Sequence, residues 1–113
     1  MKYVFLLYDL DEEWEPTEEA LAPWGAFDEA SGKIATQIAG EALQTGRTAK
    51  TVSVRNGGTL VTDGPFSDTK EQLGGFYVFD CESREIALKV ASMMPIAHVE
   101  VRPVVDFGGS MPG

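Results

Sequence analysis

The densest concentration of reactive and turn-forming residues runs from Asp63 to Gly75. It holds Asp63, Gly64, Pro65 and Phe66, then Asp68, Lys70 and Glu71, then Gly74 and Gly75 at the entry to Phe76 and Tyr77. An Asp carboxylate at the head of such a stretch accepts backbone N–H groups just downstream, and Pro65 drives Gly64 away from helical backbone angles, so a sharp turn is expected. A carboxylate kept ionised by a nearby ammonium can take a proton from carbon or oxygen, and a cation can steady the enolate or carboxylate that results. Asp63, Lys70 and Glu71 are therefore the first candidates for acid–base chemistry of the isomerase or lyase kind, with Gly64, Pro65 and Phe66 as ligand-contacting positions. The competing expectation is a rigid connection in which Lys70 and Glu71 form an exposed ion pair of little energetic consequence.

Three further residues belong with this group. Glu41, next to Gly40 and flanked by Ile38 and Leu43, is a carboxylate whose partial burial would raise its pKa and suit it to acid or base work; an exposed turn residue is the plainer alternative. His98, the single histidine, and Arg102 alternate along the last strand pattern, His98 as scaffold or proton carrier and Arg102 as a ligand contact. Cys81 follows an apolar strand with nothing nearby in sequence to lower its pKa, so it reads as a packed side chain. Asp63, Asp68 and Glu71 lack the spacing of a calcium loop, and one Cys with one His makes no zinc cluster, so neither metal nor cofactor is expected.

The elements that must position these residues are legible in outline. Tyr3 to Tyr8 is apolar on both alternating faces, as is Gly75 to Phe79. An ordinary sheet with helices on one side would show polar residues on the other, so a second copy of the same sheet is the expected cover. Thr17 caps a helix whose first turn carries Glu18 and Glu19, and Pro23 is expected to divide it into a short turn and a main helix from Pro23 to about Ile34. On that main helix Trp24, Phe27, Ala30 and Ile34 share a face, while Asp28, Glu29 and Lys33 read as solvated. Trp14 and Trp24 could line an aromatic pocket between helix and sheet, although the helical spacing of Trp24 with Phe27 also fits plain core. Thr36 to Leu43 reads as a short strand or turn. Asn56-Gly57-Gly58 between Thr51–Val54 and Thr59–Thr62 marks a hairpin, Ser83 caps a second helix ended by Pro95, and His98 to Asp106 is a last strand.

These residues carry a resemblance. The run Asp63-Gly64-Pro65-Phe66, then Lys70-Glu71, then Leu73 to Tyr77, with Met1-Lys2-Tyr3 opening an apolar strand, Gly40 to Leu43 in the middle and Val99 to Pro103 near the end, resembles the DGPF-domain branch of the YCII-related family over residues 1 to 107. The resemblance implies an α+β, ferredoxin-like domain, mainly antiparallel with two helices on one face, that dimerises through its sheet as a dimeric α+β barrel. It also implies an association with bacterial sigma-factor systems, and hence a non-catalytic binding or regulatory module as the alternative to an enzyme. Broader members are similar in carrying a His–Asp pair; this chain departs from them, because its first helix holds no His, and only Asp63 remains for the acidic role.

Composition bounds the rest. A length of 113 residues with 43% hydrophobic side chains suits one domain with a real core, expected over 1–107 with residues 108–113 as a tail. Eighteen Asp and Glu against nine Lys and Arg give a net charge of −9, which opposes contact with phosphate backbones and anionic membranes. The expected partners are a second copy of the chain and a small-molecule ligand, with no nucleic acid and no membrane. One unpaired Cys and an opening apolar run too short for a signal core or a span predict a cytoplasmic protein.

Overall fold

Tyr3, Phe5 and Leu7 point one way from the strand β1 (Lys2–Tyr8) and are buried, while Val4, Leu6 and Tyr8 point the other way and are half-buried. In the computed structural model, which describes residues 1–8, 14–66 and 72–108, this strand sits inside a four-stranded sheet. After it come the helix α1 (Glu18–Gly32), β2 (Thr36–Ala42), a hairpin of β3 (Lys50–Arg55) and β4 (Gly58–Asp63), then β5 (Leu73–Asp80), the helix α2 (Arg84–Ser92) and β6 (His98–Pro103). The main sheet runs β2-β5-β1-β6 with every neighbouring pair antiparallel. Leaving the hairpin aside, this is the βαββαβ order of a ferredoxin-like α+β fold.

Both helices begin where a hydroxyl can satisfy a free backbone donor. The Ala20 N–H donates to Thr17 Oγ1 at 3.1 Å, and the Ile86 N–H donates to Ser83 Oγ at 3.2 Å. Pro23 does not divide α1, contrary to the expectation from sequence; one helix runs through it. Proline forfeits the bond to the Glu19 carbonyl, but Glu19 and Pro23 are both exposed, so water can serve that carbonyl. Trp24 and Phe27 meanwhile anchor the helix to the sheet.

The core lies between the helices and one sheet face. Phe5 and Phe79 meet edge to face with ring centroids 5.4 Å apart, and Phe27 of α1 contacts Phe79 at 6.0 Å. Ala87, Val90 and Met94 from α2 and its C-terminal turn complete the cluster. On the opposite face the strand register sets Val4 beside Val78 and Leu6 beside Phe76, and no described element covers them.

The hairpin is present where Asn56-Gly57 predicted it, with both residues at positive φ (49° and 76°). It forms its own two-stranded sheet apart from the main one. Val52, Val54, Leu60 and Val61 are all more than half exposed along it. The radius of gyration of 16.3 Å exceeds the roughly 13 Å of a compact chain this long, as a projecting arm requires.

Because Phe5 is fully buried between Phe79 and the helices, Phe5→Ala is expected to lower stability by about 3–5 kcal/mol. Urea unfolding followed by circular dichroism should show the midpoint fall with little change in slope.

Candidate functional site

Where α1 crosses the β2–β5 edge of the sheet it leaves a cavity of about 300 Å³. Leu21, Trp24 and Asp28 line it from the helix, at the i, i+3 and i+7 spacing that puts side chains on one helical face. Trp14 stands in the segment before the helix; Gln37, Gly40, Glu41 and Ala42 come from β2, Gly75, Phe76 and Tyr77 from β5, and Leu7 from β1. The volume is at the lower end of the range typical of small-molecule sites, and the lining is largely apolar with a few polar groups.

Tyr77 ties the cavity to the core. Its ring stacks near-parallel on Trp24 (centroids 6.3 Å apart, planes at 28°) and contacts Phe27 and Phe79 at 5.6 Å each. That placement requires a glycine across the strand pair. Gly40 is the register partner of Tyr77, and a Cβ there would lie 2.6 Å from the tyrosine ring. The β2–β5 register shifts between Gln37 and Ala39, which brings Gly40 rather than a side chain beneath the ring. Burial pushes the Tyr77 phenol above its ordinary pKa, and the negative charge of Asp28 pushes it further the same way. The phenol therefore stays protonated at physiological pH and offers a hydrogen-bond donor beside a carboxylate.

The residues singled out from sequence are dispersed. Asp63 ends β4, with its side chain 86% exposed and ion-paired to Lys50 across the hairpin. Gly64, at φ 93°, closes the turn: its N–H donates to the Ala49 carbonyl at 2.8 Å, and its own carbonyl accepts from Thr51 Oγ1 at 2.8 Å. Pro65 packs near Gly46, and Phe66 is 90% exposed. Lys70 and Glu71 lie outside the described residues. Glu41 is exposed, as the plainer of its two readings has it, and although its backbone lines the cavity its register partner is Phe76, so its side chain lies on the sheet face away from Tyr77. His98 and Arg102 are on β6, the edge strand farthest from β2, so about 14 Å of sheet separates them from Glu41. Arg102 is ion-paired with Glu100. The structure thus brings Asp28 together with Tyr77, and places the Glu41 side chain, His98, Arg102 and Asp63 elsewhere.

Cys81 is buried in the core, and burial, reinforced by Asp80, raises its thiol pKa, as suits a packed side chain. Among the described residues no three His, Cys, Asp or Glu side chains form a group able to hold a metal, and no helix is long and apolar enough to cross a membrane. Tyr77 and Asp28 are the site residues that sequence reading passed over. The available signal was Asp28 four residues after Trp24 and seven after Leu21.

The fold and cavity define a ferredoxin-like α+β protein with an aromatic, carboxylate-bearing pocket between its first helix and a sheet edge. The model of the YCII-related domain matches residues 1–108, and the chain belongs to that family. It is 46% identical over 61 residues to an uncharacterised protein of Rhizobium meliloti (strain 1021), a match covering 50% of this chain. The match spans about half (49%) of that relative's length.

Since Asp28 contributes to the raised Tyr77 pKa, Asp28→Asn should lower it, with burial still holding it above the ordinary phenol value near 10. The difference between phenolate absorbance titrations of each protein and its Tyr77→Phe variant isolates this group. A phenol whose folded pKa is raised keeps its full contribution to stability below the unfolded pKa and loses it as pH climbs through the folded value. Alkaline unfolding should therefore be less steep in Tyr77→Phe.

Proposed function

We propose that this YCII-related protein is a homodimeric small-molecule-binding protein whose ligand occupies the cavity between α1 and the β2–β5 edge. The observation that carries the reading is the cavity itself, walled by Trp14, Trp24 and Tyr77 with Asp28 at hand. Aromatic walls supply apolar contact and orientation, and the few polar groups supply specificity. Acid–base turnover of the isomerase or lyase kind is the second reading, favoured by the closeness of Asp28 to Tyr77: the carboxylate is a proton acceptor, and the protonated phenol a hydrogen-bond donor to a developing enolate. The Asp63 turn, whose polar groups are largely engaged within the hairpin, serves in this reading to fix the arm's end.

Dimerisation through the open sheet face rests on Val4, Leu6, Phe76 and Val78, a contiguous apolar patch by strand register. Light scattering at micromolar concentration should return twice the chain mass, and Leu6→Glu should return the single mass. A monodisperse wild-type monomer would overturn the dimer.

Trp14 is 37% exposed and outside the core cluster, so Trp14→Ala removes a cavity wall without undermining the fold. Thermal-shift screening of small metabolites should yield ligands that raise the melting temperature of wild type and of Asp63→Asn, and that lose their effect in Trp14→Ala. Ligands that ignore Trp14→Ala but fail with Asp63→Asn would move the site to the Asp63 turn.

A further inference from the structure

We infer that the cavity selects organic cations, an ammonium or quaternary ammonium centre carried on a small apolar or aromatic body. This rests on the cavity being a ligand site, as proposed above, and adds the sign of the ligand's charge.

Two kinds of lining group converge on that chemistry. Trp14 and Trp24 line the cavity beside Tyr77, and an indole attracts a cation placed over its face and gives an anion no such gain. Asp28 is the carboxylate on the helix side of the cavity, the Glu41 side chain lies on the opposite sheet face beside Phe76, and no described lining residue is Lys, Arg or His. The imbalance extends beyond the lining. α1 carries Glu18, Glu19, Asp28 and Glu29 with no basic residue, and β2 carries Glu41 with none. A cleft lined by one sign of charge and walled by apolar rings concentrates its field, and the whole chain at −9 adds to it.

Burial raises the Tyr77 phenol pKa first, and the negative charge of Asp28 adds to it. Asp28 disfavours the phenolate, so a second negative charge placed near the ring is opposed by the group that already opposes the first. A cation entering the same space gains from the carboxylate and from the ring faces together. A neutral ligand gains from the rings alone.

The test is a matched set of probes: phenethylamine and benzyltrimethylammonium as cations, phenethyl alcohol as the neutral analogue and hydrocinnamate as the anion, titrated calorimetrically into the full chain. The cations should bind about fivefold or more tightly than the alcohol, with hydrocinnamate weakest. Raising the salt should narrow the gap. Asp28→Asn with unchanged circular dichroism should narrow the gap between cation and alcohol, leaving only what the rings contribute. Equal binding of all probes by wild type, or a preference for hydrocinnamate, overturns the cation inference and leaves the ligand-site reading standing. Failure of every probe to bind also overturns it, whereas the ligand-site reading itself falls only if hits from the thermal screen are indifferent to Trp14→Ala.

Discussion

A continuous set of ring contacts, from Phe5 through Phe79 and Phe27 to Tyr77 and Trp24, joins the middle of the core to the wall of the cavity. Each ring meets the next edge-on, tilted or offset, the arrangements that aromatic quadrupoles favour. Phe5 and Phe79 hold the sheet's two central strands to the helical layer, and Phe27 fixes α1 over them. Trp24, one turn earlier on the helix, is then carried to the sheet edge where the packing gives way to open volume. The cavity is the place where the aromatic layer outruns the aliphatic filling supplied by α2.

That layer depends on a backbone feature of β2. A strand in uninterrupted register would set a side chain against Tyr77; the shift between Gln37 and Ala39 sets Gly40 there instead, and the ring lies over bare backbone. Gly75 acts in a similar way further along the same strand pair, where a Cβ would stand 3.0 Å from the Glu41 carbonyl oxygen. Two small residues on facing strands let helix, ring and sheet edge come close enough to enclose a space while leaving one side open.

Much of this architecture can be read from residue types. The two-faced apolar pattern of Tyr3 to Tyr8 marks a central strand, Asn56-Gly57 marks the hairpin, and Thr17 and Ser83 mark the helix starts, because each of those signals is local and has a single physical cause. Pro23 misleads, since its cost depends on whether the carbonyl it abandons faces water, which periodicity does not reveal. The pocket is less legible still. Asp28 is exposed, as its solvated helix face predicts, and its place in the pocket comes from Tyr77, a residue 49 positions away whose ring position follows from strand register. The Asp63 run draws the eye by composition, yet its carboxylate, its glycine carbonyl and its glycine N–H find partners within the hairpin and the short turn before it. Trp14 before the helix and Trp24 on it are the better guide, Trp24 packing against the core as its helical spacing suggests while also lining the cavity.

The position of β1 has a further consequence for how the chain reaches this state. Its hydrogen-bonded neighbours are β5 and β6, which lie some seventy to one hundred residues downstream. During synthesis the first strand therefore emerges with both edges unpaired and both faces apolar, and it stays so until most of the domain has been made. Closing loops of that length costs chain entropy before any pairing repays it, which places this fold among the slower small-domain topologies. The acidic run after β1 and the charges on α1 then act as gatekeepers beside the segment most exposed to mispairing, so the negative charge around the cavity also keeps the nascent chain soluble.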